Sequence, residues 1–308
     1  RQTMSKLKSR QESRFQIILT AFMVLLMAVT VYPMWYSLIN SLNNANDIAK
    51  NGYALLWIRK FSWDSWATVL GDAKILRALF ITCSRTILVT VLQTLITSMF
   101  AYGFSRSNLV GKRFYSTIGF LSMYLNGGVI AYFILFNAMH LYNTYWVYII
   151  PCLFGGFYNV IIFNANFKAI PGSLFETAKI DGASEPYIFF KIVLPLSKPV
   201  ISALSIFTAV ATWNDYTQTL YYTRSETLQT LAYYTLSLTK STQSAADLSS
   251  SMTGTAASSV LTVMSEAASN YKTIELACMV ISAIPLIVAY PFAQKYFEKG
   301  VMVGSVKE

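Results

Sequence analysis

Residues 114–167 read FYSTIGFLSMYLNGGVIAYFILFNAMHLYNTYWVYIIPCLFGGFYNVIIFNANF and contain no Lys, Arg, Asp or Glu. A helix needs roughly 20 apolar residues, each rising about 1.5 Å, to cross a bilayer. This stretch of 54 residues therefore has room for two crossings and a tight turn. We place the turn near residues 139–144, which read Met-His-Leu-Tyr-Asn-Thr.

The composition of the whole chain indicates the same environment. Of its 308 residues, 55% are hydrophobic and only 12% are charged, whereas soluble domains carry about 25% charged residues. This composition excludes intrinsic disorder, a fibrous repeat and an ordinary cytosolic enzyme. Backbone groups in lipid must be hydrogen-bonded within the spanning structure, and the apolar runs lack the ten-residue alternation of a barrel. The sequence therefore predicts an all-α polytopic membrane protein.

Six transmembrane helices are expected. Their ranges are 15–38, 78–104, two helices within 114–167, 199–222 and 274–291. The first run is too long for a signal peptide, so we interpret it as an uncleaved span. The chain then divides into a tail at 1–14, a six-helix domain at 15–297 with external segments at 39–77 and 223–272, and a tail at 298–308. The part of the second external segment at 241–268 is rich in Ser, Thr and Ala, which indicates either a docking role or disorder.

The basic residues predict the orientation of the spans. The chain carries 24 Lys and Arg against 14 Asp and Glu, a net charge of +10. Six spans put both termini on one side, where 15 basic residues lie within about 70 residues, against 8 within about 95 on the other side. We therefore expect both termini to be cytoplasmic. Because the basic residues follow this topology, nucleic acid is not expected as a partner.

The segment 173–195, between the fourth and fifth spans, carries the signals of a short helix. Ser173 and Glu176 have the spacing of a capping box, in which each side chain bonds an N–H of the first helical turn. Gly182 suits the left-handed residue that follows a helix. Together these residues predict a helix over 174–181.

A second helix is expected directly after Gly182. Ser184 suits its cap, Pro186 its first turn and Pro195 its end. Two short helices then meet at a glycine corner on the aqueous side of the membrane, where an isolated two-turn helix is not stable. Their apolar side chains must be buried either against the protein's own helix ends or by another protein.

Three stretches share their pattern with one family of membrane proteins. Glu176-Thr177-Ala178, Gly182 and Ile192-x-Leu194-Pro195 resemble the EAA loop in the permease subunits of ATP-driven importers, with Thr177 standing where the pattern has Ala. Trp213-Asn214-Asp215-Tyr216 is similar to the Trp-Asn-Asp element of carbohydrate-uptake permeases. Residues 290–307 resemble the tail of the maltose-permease-like branch, particularly the lipoprotein-associated oligosaccharide permeases of Gram-positive bacteria.

This resemblance implies a subunit of six transmembrane helices and a cytoplasmic coupling helix. The implied partners are a second permease chain, two ATPase subunits that bind ATP and Mg, and an extracellular sugar-binding lipoprotein. The implied function is import of an oligosaccharide across the cell membrane of a Gram-positive bacterium by alternating access. The residues implied in coupling to the ATPase are Glu176, Ala178, Asp181, Gly182, Ile192, Leu194 and Pro195.

Signs of an enzyme or a metal site are missing from the sequence. A Walker A loop needs G-x-x-x-x-G-K-[ST] to hold phosphate, and the only Gly-Lys pair, Gly111-Lys112, lacks that context. His140 is the only histidine, and the three cysteines lie in apolar stretches without zinc spacing. We therefore expect no catalytic residue, no metal and no cofactor in this chain, with ATP hydrolysed by its partners.

Sugar recognition combines aromatic faces with hydrogen-bonding side chains. The candidates for a substrate path are Tyr124, Asn126, Trp213, Asn214, Asp215 and Tyr216. For the aromatic residues, ordinary helix packing is the alternative. A carboxylate inside a span is costly, so Asp215 either lines the path or pairs with Arg85.

Two other classes remain as alternatives to the permease subunit. A stand-alone secondary transporter or channel needs internal repeats or coupling-ion residues, and a membrane-embedded enzyme needs a catalytic cluster. The sequence shows neither clearly. Co-purification with an ATP-hydrolysing subunit separates the permease from both.

Overall fold

The structure is a computed structural model that describes residues 2–251 and 258–305. Within these ranges every regular element is a helix, and the only strand-like pairing is a single bridge between Asn43 and Phe61. The predicted all-α class is confirmed.

The elements follow one another along the chain with short connections. They are α1 (Gln2–Ser41), α2 (Ala45–Asn51), α3 (Asp64–Gly71), α4 (Ala73–Ser105), α5 (Lys112–Tyr124), α6 (Gly128–Ala138), two 3-10 turns (Tyr145–Tyr148 and Ile150–Cys152), α7 (Gly156–Lys168), α8 (Gly172–Ile180), α9 (Glu185–Ile188), a π-helical turn (Phe189–Val193), α10 (Leu194–Leu196), α11 (Lys198–Asn214), α12 (Thr217–Tyr222), a 3-10 turn (Glu226–Leu228), α13 (Leu231–Ser251) and α14 (Ser258–Ser305).

Three helices among the described residues are long and apolar enough to cross a membrane unbroken. They are Phe15–Ser41 within α1, Ala73–Ser105, which is α4, and Glu266–Pro291 within α14. Three pairs of helical segments are long and apolar enough together but are bent, by 115° between α5 and α6, by 47° before α7 and by 82° between Glu185–Leu196 and α11. Counting each pair as one span gives the six that the sequence predicts. The bends themselves were not predicted.

Glycines and one asparagine shape the break between α5 and α6. Gly128 has a φ of +72°, a conformation that residues with a Cβ rarely adopt. Its N–H donates to Asn126 Oδ1 at 2.9 Å, which satisfies a group at the start of α6. The turn predicted at 139–144 is present, with His140 and Asn143 both at positive φ, and that prediction is confirmed.

Two sequence expectations about helix length are wrong. Span five was expected to run to residue 222, but α11 ends at Asn214 and α12 begins at Thr217. The external segment 223–272 was expected to be a loop or disordered. Its described part is largely helical, since α13 occupies 231–251 and α14 starts at Ser258, while 252–257 lie outside the described residues.

The chain forms two compact units. The first unit comprises Arg1–Gly71 and Ser237–Ile281. In it, Asn40 bonds both the N–H and the carbonyl of Ala54 at 2.8 Å. Arg59 pairs with Asp47 at 2.9 Å and is the main reason that the pKa of Asp47 is lowered to about 2. These contacts order the segment that follows α1.

The second unit comprises Asp72–Leu236 and Ser282–Glu308. Its interior forms two apolar clusters along α4. One surrounds Val89, Val147 and Tyr148. The other joins the end of α4 to α7 and to the segment 173–195, and includes Phe163 and Ile188. The long helix α4 is thus the element on which the second unit packs.

Helix α5 approaches α7 through Gly119. A Cβ at this position would lie 2.3 Å from the ring of Phe157, which is held between Phe104 and Phe120. We expect Gly119→Ala to lower the free energy of unfolding by about 1 to 3 kcal/mol, because a packed ring has to move. The midpoint of thermal unfolding in detergent measures the loss.

Gly103→Ala is the matched control for this prediction. A Cβ at Gly103, also inside a helix, meets nothing within 4 Å. Alanine is favoured over glycine in a helix, so Gly103→Ala should unfold at or above the wild-type midpoint. Equal losses in the two variants would contradict the close contact with Phe157.

Candidate coupling and pathway sites

The first helix of the segment 173–195 begins earlier than predicted. Helix α8 starts at Gly172, its N-cap is Pro171, and no side chain caps it. Ser173 therefore lies inside the helix, and the predicted capping box with Glu176 is wrong. Pro171 already has the extended backbone of a cap residue, with φ −55° and ψ 132°, so the helix starts directly after it.

The corner after α8 is closed by backbone hydrogen bonds. Gly182 has a φ of +78°. The N–H of Ala183 donates to Ala178 O at 2.9 Å, and the N–H of Gly182 donates to Lys179 O at 3.1 Å. This pair of bonds is a Schellman motif, which needs a left-handed residue at the position of Gly182. Asp181 is the C-cap residue of α8 and is exposed.

The second helix starts as predicted and continues further. Ser184 is the N-cap of α9, and Pro186 is in its first turn. The helix does not end at Pro195, which lies within α10 after the π-helical turn. Pro195 has no N–H and its ring crowds the carbonyl four residues earlier. A wider turn directly before it relieves that crowding, so the chain remains helical.

The inner side of the corner is buried against the protein's own helices. Ala178, Ile188, Phe189 and Val193 belong to the apolar cluster that includes Phe163 of α7. Ile192 and Leu194 are half-buried against the same cluster. The first alternative left open by the sequence, packing on the protein's own helix ends, thus accounts for these residues.

The outer side of the corner is open. Ile180 is 86% exposed, and Leu174 and Phe190 are also exposed. Glu176, Gly182 and Pro195 lie on the surface too. A groove of about 610 Å³ lies along the corner. The residues that line it are Ala178, Asp181, Gly182, Ala183, Ser184, Tyr187, Lys191 and Ile192.

A buried ion pair lies where α11 ends. Arg85 of α4 is 1% exposed, and its Nη2 is 2.9 Å from Asp215 Oδ2. The same Nη2 donates to Thr212 O at 2.8 Å and to Asp215 O at 3.1 Å. The last carbonyls of a helix lack partners within the helix, and a cation there is favourable. Arg85 therefore closes the end of α11 as well as pairing with Asp215.

The carboxylate of Asp215 also begins the next helix. Its Oδ1 accepts from the N–H of Thr217 at 2.9 Å and from the Thr217 hydroxyl. An aspartate that bonds the backbone two residues ahead stabilises a turn in place of a continuing helix. The break between α11 and α12 is thus formed by Asp215 itself, which the hydropathy pattern alone could not reveal.

The other candidate pathway residues differ in their surroundings. Trp213 is buried and donates from Nε1 to Ser282 O at 3.0 Å. Asn214 and Tyr216 are exposed beside the break. Tyr124 and Asn126 are exposed at the break between α5 and α6. No hydrogen bond or ring contact found among the described side chains joins that break to residues 213–216.

The side chains that the structure describes contain no cluster of three or more His, Cys, Asp or Glu able to hold a metal ion. The described side chains of the two sites form hydrogen bonds and ion pairs and present apolar surface.

Removing the cation from the Arg85–Asp215 pair should destabilise the second unit. In Arg85→Gln, a carboxylate and two carbonyls lose their charged donor, and we expect the free energy of unfolding to fall by about 2 to 3 kcal/mol. Thermal unfolding in detergent measures it. Arg77→Gln, an exposed site two turns earlier on α4, is the matched control. Similar midpoints for both variants would show that the pair contributes little.

Comparison with known proteins places the chain in a family. Residues 93–303 match the family described as "Binding-protein-dependent transport system inner membrane component". The polygalacturonan/rhamnogalacturonan transport system permease protein YtcP of Bacillus subtilis is 30% identical over 95% of this chain and 98% of its own. Protein LplC of the same organism is 31% identical over 91% and 90%.

A solved structure has the same fold. A chain of a bacterial ABC transporter involved in the import of the acidic polysaccharide alginate superposes with a TM-score of 0.77, at 24% identity, covering 94% of this chain and 98% of that one. The family match covers more than half of the chain, and both Bacillus relatives extend over nearly all of it. This chain belongs to the inner membrane components of binding-protein-dependent transport systems.

Proposed function

We propose that this chain is one permease subunit of an ATP-driven importer that moves an oligosaccharide into a Gram-positive cell. The observation that carries the coupling role is the corner at 173–195. Its inner side is anchored on the protein's own helices, while its outer side presents Ile180, 86% exposed, beside the groove at Gly182. A rigid corner with an open apolar side chain is suited to docking in a cleft of another protein.

The nature of the cargo rests on the relatives. YtcP is named for polygalacturonan and rhamnogalacturonan, AraQ of Bacillus subtilis for arabinooligosaccharides and MdxG for maltodextrin. The exposed pathway residues Tyr124, Asn126, Asn214 and Tyr216 offer the aromatic faces and amides that bind sugars. These observations favour an oligosaccharide over a peptide, an amino acid or a metal ion.

The proposed assembly has a second permease chain and two ATPase subunits that bind ATP and Mg on the cytoplasmic side. An extracellular sugar-binding lipoprotein delivers the cargo. A related alginate transporter is solved in complex with a periplasmic protein bound to alginate pentasaccharide, at a TM-score of 0.57. In this assembly the chain itself holds no ATP, and its contribution is the path and the coupling corner.

Transport then follows from two packings of the same helices. ATP closes the ATPase pair, the docked corner moves with it, and the cavity turns from the inside to the outside. Hydrolysis resets the cycle. A ligand shifts such an equilibrium only through its different affinity for the two states. The Schellman motif at Gly182 keeps the corner stiff, so that its displacement reaches the spans.

The orientation of the chain follows from the same proposal. With the corner on the side of the ATPase, both termini are cytoplasmic. A fluorescent protein fused after Glu308 should fluoresce, and an alkaline phosphatase fused there should be inactive, because the two reporters need opposite sides of the membrane. Phosphatase activity at this terminus would overturn the orientation.

The deciding experiment is uptake by the reconstituted complex. The external receptor is first screened for binding to oligogalacturonides, arabino-oligosaccharides, galacto-oligosaccharides and malto-oligosaccharides. The complex in proteoliposomes should then take up the bound class only with ATP inside. Uptake without the ATPase or without ATP would instead indicate a stand-alone secondary transporter or channel.

The corner is tested in the same assay. Gly182→Pro should lower uptake at least tenfold, because proline requires a φ near −65° where Gly182 has +78°. Gly172→Ala is the control, since Gly172 is inside α8 and a Cβ there meets nothing within 4 Å. A Gly182→Pro variant that transports at the wild-type rate would exclude the corner from coupling.

A further inference from the structure

A single arginine joins the end of span two to α8 and α9, which are the two arms of the corner. Arg106 is the C-cap residue of α4. Its Nη2 is 2.9 Å from Glu185 Oε2, in the first turn of α9. Its guanidinium carbon is 4.3 Å from the ring centroid of Tyr102 on α4 and 4.3 Å from that of Phe175 on α8. One side chain therefore touches three helices.

The carboxylate of Glu185 is the centre of this contact. Its Oε2 accepts from the Tyr102 hydroxyl at 2.5 Å as well as from Arg106, which also donates to that hydroxyl. Its other oxygen, Oε1, is 3.0 Å from Lys179 Nζ in the last turn of α8. Glu185 thus ties α9 to α8 through Lys179 and to α4 through Arg106 and Tyr102.

The geometry requires arginine at position 106. A guanidinium is planar, so its faces contact aromatic rings while its N–H groups donate in the plane. A lysine ammonium has no such plane and cannot bridge two rings while bonding a carboxylate in the same way. Arg106 is also only 24% exposed as a side chain, so water competes for these contacts less than at a fully exposed pair.

The contacts on both arms fix the angle of the corner. Only four residues, 181–184, separate α8 from α9. Arg106 holds Phe175 on one side of that turn and Glu185 on the other. The angle between the arms cannot change without losing one of these contacts, and the whole corner cannot move without pulling on the end of α4.

We propose that Arg106 is a positioning residue that fastens the corner to α4, so that a displacement of the corner moves span two. The inference rests on the proposed coupling function. Without this attachment, only the apolar contacts on the inner side of the corner tie it to α4 and α7, and such contacts are non-directional. With it, the force enters the helix that also carries Arg85 at the break of span five.

The test is the number of ATP molecules hydrolysed per sugar imported by the whole complex in proteoliposomes. The sugar is the one of the four oligosaccharide classes above that the wild type imports. Arg106→Ala should keep ATP hydrolysis within about twofold of wild type and raise this ratio at least tenfold. Arg106→Lys should raise it as well, although it keeps the charge. Arg113→Ala, an exposed basic site on α5, should leave the ratio unchanged.

A purely structural defect lowers hydrolysis and import together and leaves the ratio alone. A wild-type ratio in Arg106→Ala would therefore overturn the proposal, while ATP-dependent import by the wild type would leave the proposed function standing. Should Arg106→Ala fail to assemble, Phe175→Leu removes one of the two rings and keeps an apolar side chain. Its ratio should also rise, and a wild-type ratio there overturns the proposal equally.

Discussion

No backbone N–H or carbonyl can be left without a partner in a bilayer, and the second unit of this protein meets that constraint at three of its helix ends in the same way. The partners come from α4. Arg85 bonds the carbonyls at the end of α11, Thr97 accepts the N–H of Gly155 before α7, and Thr82 accepts the N–H of Leu231 at the start of α13. The unbroken helix α4 thus supplies hydrogen-bond partners for backbone groups at the ends of neighbouring helices.

The same helix links the two candidate sites. Arg85 contacts the break at Asp215, and Arg106, about six turns later, contacts the corner. Between them α4 packs its apolar face on two clusters, so the helix is held along its length. A long, well-packed helix transmits displacement because packed interiors are close to incompressible. The arrangement suits a subunit in which a displacement of the corner at one end of α4 moves the break at Asp215 near the other end.

Much of the fold could be predicted from the sequence, because hydropathy reports which segments prefer lipid. The six spans, the turn at 139–144 and the left-handed Gly182 follow from apolar length and from local backbone rules. The breaks do not follow, because each depends on a side chain distant in sequence, such as Arg85 at the end of α11. Ser173 was misplaced because Pro171 offers a competing start that the capping-box spacing ignores.

The candidate sites were predictable to different degrees. The corner was found because its spacing is local, whereas the sequence identifies Arg106 only as one of the basic residues that predict the orientation of the spans. Its role depends on contacts with Tyr102, Phe175 and Glu185, and Glu185 lies 79 positions away in the sequence. Trp213, predicted from its motif as a substrate-path residue, is buried and donates a hydrogen bond to Ser282 O. The spacing of motif residues predicts where a site lies, whereas the contacts of each side chain are seen only in the structure.

The π-helical turn at Phe189–Val193 has a consequence for how this stretch changes over time. The N–H of Leu194 reaches Phe189 O, five residues back. The turn therefore contains one residue more than an α-turn. As a result Ile188 and Val193, five apart, are both fully buried. Loss of one residue there would restore ordinary α-helical winding and would keep the residues on either side of the turn on the same faces, because four residues of an α-helix turn by about 400°. A single deletion in this turn therefore preserves the direction of the corner, whereas a substitution of Phe189 or Val193 changes the buried apolar cluster.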